Sequence, residues 1–181
     1  MLFQLWNNLG PLGPVFAFLA CLILAIVSER FVYYLPFRGS SSVKKNLGLE
    51  QILSELKELQ PKSRILFEEL AEIRLNRVGR NLEKYLGLLK ILATISPLIG
   101  LLGTIFGMIT SFQSISANTG AVTPALVATG IHQALWTTAL GLVLAIFSLV
   151  SHAIFKLTKE RWIQDWADAL SETSLAQFEE S

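Results

Sequence analysis

The stretch ILATISPLIGLLGTIFGMITSFQSISANTGAVTPALVATGIHQALWTTALGLVLAIFSLVSHAIF, residues 91–155, holds no Asp, Glu, Lys or Arg and is bounded by Lys90 and Lys156. A helix crosses the hydrocarbon core of a bilayer with about 20 apolar residues. One crossing does not use up this stretch, whereas two crossings joined by a turn do. The turn is written as Ser114, Ser116, Asn118, Thr119, Gly120, Thr123 and Pro124, a polar cluster rich in helix breakers. The pattern predicts two spans, roughly Gly87–Ile115 and Val127–Phe155.

On the N-terminal side, Met1 to Ser28 is also free of charge, and Glu29 and Arg30 close it. This predicts a first span at roughly Pro14–Leu35. A cleaved signal peptide would carry basic residues ahead of its apolar run. Here they follow it, so the span is read as uncleaved. The 181-residue chain is 52% apolar and 16% charged, with mean hydropathy +0.51. Soluble domains carry about 25% charged residues. The fold class predicted is an all-α membrane protein with three transmembrane helices, assembled as an oligomeric helical bundle. Its segments are a first transmembrane helix in 1–36, a cytoplasmic helical segment in 37–86, a second transmembrane helix in 87–116, an external turn in 117–126, a third transmembrane helix in 127–156 and a cytoplasmic amphipathic tail in 157–181. Cys21 is the single cysteine, so no intrachain disulfide and no cysteine metal site is available.

Twelve of the 15 Lys and Arg residues lie between Arg30 and Lys90, and the other three are Lys156, Lys159 and Arg161. Positive charge marks the cytoplasmic side. The N-terminus and the 117–126 turn are therefore expected outside, and the middle segment and C-terminus inside. Trp6 suits the outer interface, and Phe31, Tyr33 and Tyr34 suit the inner one.

In the middle segment Ser40, Ser41 and Ser42 mark a linker. Leu49, Ile52, Leu53 and Leu56 recur at helical spacing up to Pro61. From Ser63 a second helix is expected, and its stripe of Leu75, Val78, Leu82, Tyr85 and Leu89 runs without a break into the second span. The second and third spans are thus expected to be long and to extend into the cytoplasm. In the tail, Trp162, Ile163, Trp166, Ala169 and Leu170 form an apolar face opposite Asp165, Asp168 and Glu172.

The second span carries Ser96, Gly100, Gly103, Thr104, Gly107 and Ser111. The third carries Ala134, Thr138, Gly141, Ala145, Ser148 and His152. Small residues on one face let helices approach closely in lipid, so Gly100, Gly103, Gly107, Gly141 and Ala145 are candidate packing positions. The periodicity alone favours Thr104 and Thr138 bonding back to a carbonyl one turn earlier. The amide of Gln133 costs free energy in a membrane unless it finds a partner, which points it toward a cavity or another helix. His132 and His152 fall near the two interfaces and read as interfacial residues. Ser148 and His152 lie four apart on one helix, but no nucleophile motif or oxyanion hole accompanies them. The chain is read as not an enzyme, with no metal or cofactor. Neither long span holds an Asp or Glu. A proton route needs a titratable group, so in a proton-driven machine the carboxylate would come from another polypeptide.

Three motifs carry a family resemblance. Glu29-Arg30 within Ser28–Leu35 resembles the Glu-Arg signature that closes the first span of ExbB and TolQ. Ser96-Pro97-Leu98-Ile99-Gly100-Leu101-Leu102-Gly103-Thr104-Ile105-Phe106-Gly107-Met108-Ile109, with Phe112, is similar to the second-span motif of the MotA/TolQ/ExbB proton channel family. Gly130-Ile131 and Gln133-Ala134-Leu135-Trp136-Thr137-Thr138-Ala139-Leu140-Gly141-Leu142, with Ala145-Ile146, resembles its third-span motif. The resemblance implies an inner-membrane homo-pentamer around an ExbD- or TolR-like single-span partner whose membrane Asp carries the proton. Thr104 and Thr138 match the family's paired threonines that face that acid, and Gln133 stands where several members carry glutamate. The implied function is a stator subunit that uses the proton motive force to energise TonB-dependent transport. A TonB-like protein is then a further partner. A TolQ-like role in envelope integrity and a non-conducting scaffold are the alternatives. A MotA-like flagellar stator fits less well, because that type generally has four spans. No nucleic acid is implied.

Overall fold

A computed structural model describes residues 10–38, 43–59, 61, 63–117 and 124–179, and nearly all of them are helical. A 3-10 turn at Gly10–Leu12 leads into α1 (Gly13–Arg38), followed by α2 (Val43–Leu59), α3 (Arg64–Glu83), α4 (Leu86–Ala117) and α5 (Pro124–Glu179). Three stretches are long and apolar enough to cross a membrane: Gly13–Tyr34, Arg64–Ala117 and Val127–Ala176. The linker serines 40–42, Trp6 and the centre of the expected 117–126 turn lie outside the described residues. The chain divides into two compact units, Met1–Val27 with Leu88–His152 and Ser28–Gly87 with Ala153–Ser181.

In the first unit each helix presents a narrow buried stripe. On α1 it is Phe16, Leu19, Ile23 and Ile26. On α4 it is Leu89, Leu92, Ser96, Gly100, Gly103, Gly107 and Ser111, and on α5 it is Gly130, Ala134, Thr137, Gly141, Ala145 and Ser148. The steps of three and four residues keep each set on one side of a helix with 3.6 residues per turn. The remaining faces are covered by large apolar side chains turned outward, including Phe18 and Phe112, each 68% exposed, with Leu98, Leu101, Leu135, Val143 and Ile146. So much contiguous apolar surface is unfavourable in water and suits a lipid surrounding. Pro97 lies inside α4. It removes one main-chain donor, and in the preceding turn the Ser96 hydroxyl donates to the Leu92 carbonyl at 2.7 Å.

The second unit has a conventional amphipathic core. Ile52 and Leu56 of α2, Phe67, Ala71, Leu75 and Leu82 of α3, and Phe155, Trp166 and Leu170 of α5 are buried. Ser63 caps α3, with extended backbone and its hydroxyl accepting from the Leu66 N–H. This satisfies one of the donors that a helix start leaves open. Arg74 of α3 pairs with Glu55 of α2 at 2.8 Å. The Ser174 hydroxyl of α5 donates to Glu68 of α3 at 3.2 Å. Tyr34 stacks on Trp162 with ring centroids 5.1 Å apart and lies 5.2 Å from Phe155. The apolar face expected on the tail is the one that α5 buries through Trp166 and Leu170. One expectation changes. The Leu75–Leu89 stripe does not run as a single unbroken helix, because Lys84 and Tyr85 interrupt it and Tyr85 adopts φ 65°.

Candidate functional site

The seam between α4 and α5 is built from missing side chains. A Cβ on Gly100 would stand 3.1 Å from the Thr137 carbonyl oxygen and 3.1 Å from the Thr138 Cα. On Gly107 it would stand 2.6 Å from the Gly130 carbonyl oxygen and 2.8 Å from the Ala134 Cβ, and on Gly141 2.7 Å from the Ser96 carbonyl oxygen. Gly103 lies against the Thr137 side chain, and Gly130 against the Ser111 hydroxyl and the Gly107 carbonyl. Ala145 is buried further along the same face of α5. With no hydrophobic drive between helices in lipid, this closeness is what allows packing and hydrogen bonds to hold a pair together.

Three hydroxyls tie the two backbones along the seam. Ser148 donates to the Leu89 carbonyl at 2.7 Å, Thr138 to the Gly100 carbonyl at 3.3 Å, and Ser111 to the Val127 carbonyl at 3.2 Å. Ser148 is fully buried, and its hydroxyl proton is committed to this bond with a backbone carbonyl.

Thr104 and Thr138 sit half-buried. The Thr104 hydroxyl donates to the Leu101 carbonyl at 2.7 Å. Thr138 shares its proton between the Gly100 carbonyl and the Ala134 carbonyl, the latter at 3.2 Å. The back-bonding read from periodicity is therefore present at both positions, and for Thr138 it is combined with a tie to the other helix. Each hydroxyl proton is occupied, and the oxygen keeps lone pairs with which to accept. Such oxygens can receive a hydrogen bond from a protonated carboxyl group and do not themselves titrate.

Gln133 is half-buried, and its Nε2 is enclosed with no hydrogen-bond partner among the described residues. Its amide lies against Gly10, which has φ 54°, in the turn before α1. Gly10 is required there twice, for its backbone conformation and because any Cβ would enter the amide. His132 lies edge-on to Trp136 with ring centroids 6.3 Å apart.

Two features escaped the sequence reading. Thr137 is more deeply buried than Thr138 and fills the space beside Gly103, donating to the Ala134 carbonyl at 2.8 Å. Its spacing of three from Ala134 and four from Gly141 carried that signal. The Gly10–Gln133 contact had no signal of this kind.

A sequence model described as the MotA/TolQ/ExbB proton channel family matches residues 45–168, more than half of the chain. The chain is 38% identical over 96 residues to the biopolymer transport protein exbB1 of Vibrio cholerae, an alignment covering 53% of this chain and 42% of that protein. It is 44% identical over 84 residues to the biopolymer transport protein ExbB of Salmonella typhimurium, covering 46% and 34% respectively. To the Tol-Pal system protein TolQ of Haemophilus influenzae it is 34% identical over 100 residues, covering 55% and 43%. The matched region thus spans less than half the length of each of these relatives.

Proposed function

The chain belongs to the MotA/TolQ/ExbB proton channel family, and from that premise we propose that it is the channel-forming stator subunit of a proton-driven motor. The observation that carries this reading is the α4/α5 seam. It is bound tightly along its length, Thr138 reaches across it to the Gly100 carbonyl, and Thr104 follows Gly103 of the buried stripe with its hydroxyl bonded within α4, yet residues 91–155 contain no acid. A route with acceptors and no proton carrier is half of a device. In the proposed mechanism the missing half is a membrane Asp on an ExbD- or TolR-like single-span partner. Protonated, that acid donates to a threonine oxygen and tolerates the apolar interior. Deprotonated, it must leave it, because an unpaired carboxylate there is costly. Each proton that moves inward through 100 mV releases about 2.3 kcal/mol, which the partner converts into movement.

The subunit is proposed to act in an inner membrane as a homo-pentamer, with its N-terminus outside and its C-terminus in the cytoplasm, as the Lys and Arg distribution supports. A transport role with a TonB-like protein is preferred because relatives named for biopolymer transport share the higher identities. The TolQ relative supports a Tol-Pal-type role as the second reading. Gln133 and Gly10 are proposed to close the outer end of the route.

Thr104→Val and Thr138→Val test the mechanism. Valine keeps the shape and removes the acceptor. Each variant should lose motor activity by at least about tenfold, equal to about 1.4 kcal/mol, while the oligomer and the partner still co-purify. Full activity in both, with the partner present, rejects the route.

A further inference from the structure

The inner end of α1 carries a motif, Glu29-Arg30 and Tyr33-Tyr34, that the proposed ion route does not use. Arg30 is only 2% exposed. Its Nη1 donates to the Asn81 carbonyl at 3.4 Å, and its Nη2 pairs with Glu29 at 3.1 Å. The guanidinium carbon lies 5.1 Å from the ring centroid of Tyr33 and 5.2 Å from that of Tyr85. One turn further along α1, the Tyr34 hydroxyl donates to the Leu82 carbonyl at 3.1 Å. Asn81 and Leu82 form part of the last turn of α3, where main-chain carbonyls run out of helical donors. Span one therefore closes the C-terminus of α3 from outside. One of its two donors is a cation, placed at the helix end that carries negative partial charge.

Nothing local asks α3 to end there. Neither Gly nor Pro lies between Glu83 and Leu86, and the apolar stripe continues through Tyr85 to Leu89. Tyr85 is nevertheless in the left-handed region at φ 65°, the one non-glycine residue to be so among the described residues. That conformation is unfavourable for a bulky aromatic side chain. In a continuous helix the Asn81 carbonyl would accept from the Tyr85 N–H, and the Leu82 carbonyl from the Leu86 N–H. These are the two carbonyls that Arg30 and Tyr34 reach. The α1 donors thus reach the same two carbonyls that a helix continuing through Tyr85 would engage.

We infer that Arg30 and Tyr34 form a latch that holds a two-state helical joint at Lys84–Tyr85. With α1 seated, its two donors take the carbonyls, Tyr85 turns left-handed and its ring covers the guanidinium. With α1 withdrawn, the local pattern carries helical geometry through Tyr85. In the latched state Arg30 Nε is buried without a partner among the described residues.

The inference stands apart from the ion route, and so does its test. The chain has three tyrosines, Tyr33, Tyr34 and Tyr85. Tyrosine-labelled full-length protein in bilayers, measured by solid-state NMR of the H–N–Cα–H torsion, should show one tyrosine at positive φ and two in helical geometry. Arg30→Gln should move Tyr85 to helical φ, near −63°. Tyr34→Phe removes one donor without disturbing the ring packing and should shift Tyr85 the same way. Arg30→Lys keeps a cationic donor and should retain the positive φ. Tyr85 remaining at positive φ in Tyr34→Phe and in a folded Arg30→Gln protein overturns the latch. So does a helical Tyr85 in the unaltered chain.

Discussion

Gly107→Ala is the sharpest probe of the α4/α5 seam. The new Cβ would lie 2.6 Å from the Gly130 carbonyl oxygen, 2.8 Å from the Ala134 Cβ and 3.0 Å from the Ala134 nitrogen. Carbon–carbon contacts settle at about 3.5–4.0 Å, so the helices must part locally by roughly 1 Å. Overpacking of this kind costs about 1–3 kcal/mol. One turn away, the 3.2 Å bond from Ser111 to the Val127 carbonyl stretches as well, which adds about 0.6 kcal/mol. Replacing a helical glycine by alanine returns about 0.8–1.0 kcal/mol. The net loss is therefore roughly 0.6–2.8 kcal/mol. Gly87→Ala is the internal control. A Cβ there meets nothing within 4 Å, so only the propensity gain remains, about 0.5–1 kcal/mol. The pair should differ by about 1.1–3.8 kcal/mol, with Gly107→Ala the less stable. Unfolding in mixed micelles by added SDS, followed through tryptophan fluorescence, measures the difference. A Gly107→Ala protein as stable as Gly87→Ala would mean that the helices do not approach closely at this point.

Ser148→Ala deletes the 2.7 Å bond to the Leu89 carbonyl and should cost about 0.6–1.7 kcal/mol in the same titration; no change would show that bond to be incidental. Gln133→Met removes an enclosed donor that lacks a partner. The isolated subunit should gain about 1–3 kcal/mol, and a loss of stability would reveal an acceptor for that amide. Trp166 is 2% exposed in the second unit. Trp166→Ala should cost about 3–5 kcal/mol, read as a lowered midpoint of thermal unfolding by circular dichroism.

Much of the candidate site was legible in the chain because bilayers punish charge and small residues repeat at helical steps. Gly100, Gly103, Gly107 and Ser111 could be placed on one face from spacing alone, and they line one buried face of α4. The companion face on α5 was read through Thr138. The structure sets Thr137 deepest and Thr138 at the margin, where it reaches the Gly100 carbonyl. Successive residues on a helix differ by about 100°, so a periodic stripe identifies a face and leaves its midline open by about one residue. Choosing between adjacent threonines needs the opposing helix, because Gly103 accommodates the one that points at it.

The three crossings, the membrane setting and the absence of an acid along the second and third helices are written in the order of residues, because each follows from the cost of dehydrating charge and is a property of local composition. That Gly10 meets the Gln133 amide and that α3 ends at Glu83 emerges only once the helices are packed. Local pattern favours an unbroken helix through Tyr85. The donors that overrule it, Arg30 and Tyr34, arrive from some fifty residues away, and a contact between distant segments leaves no periodic trace in either one.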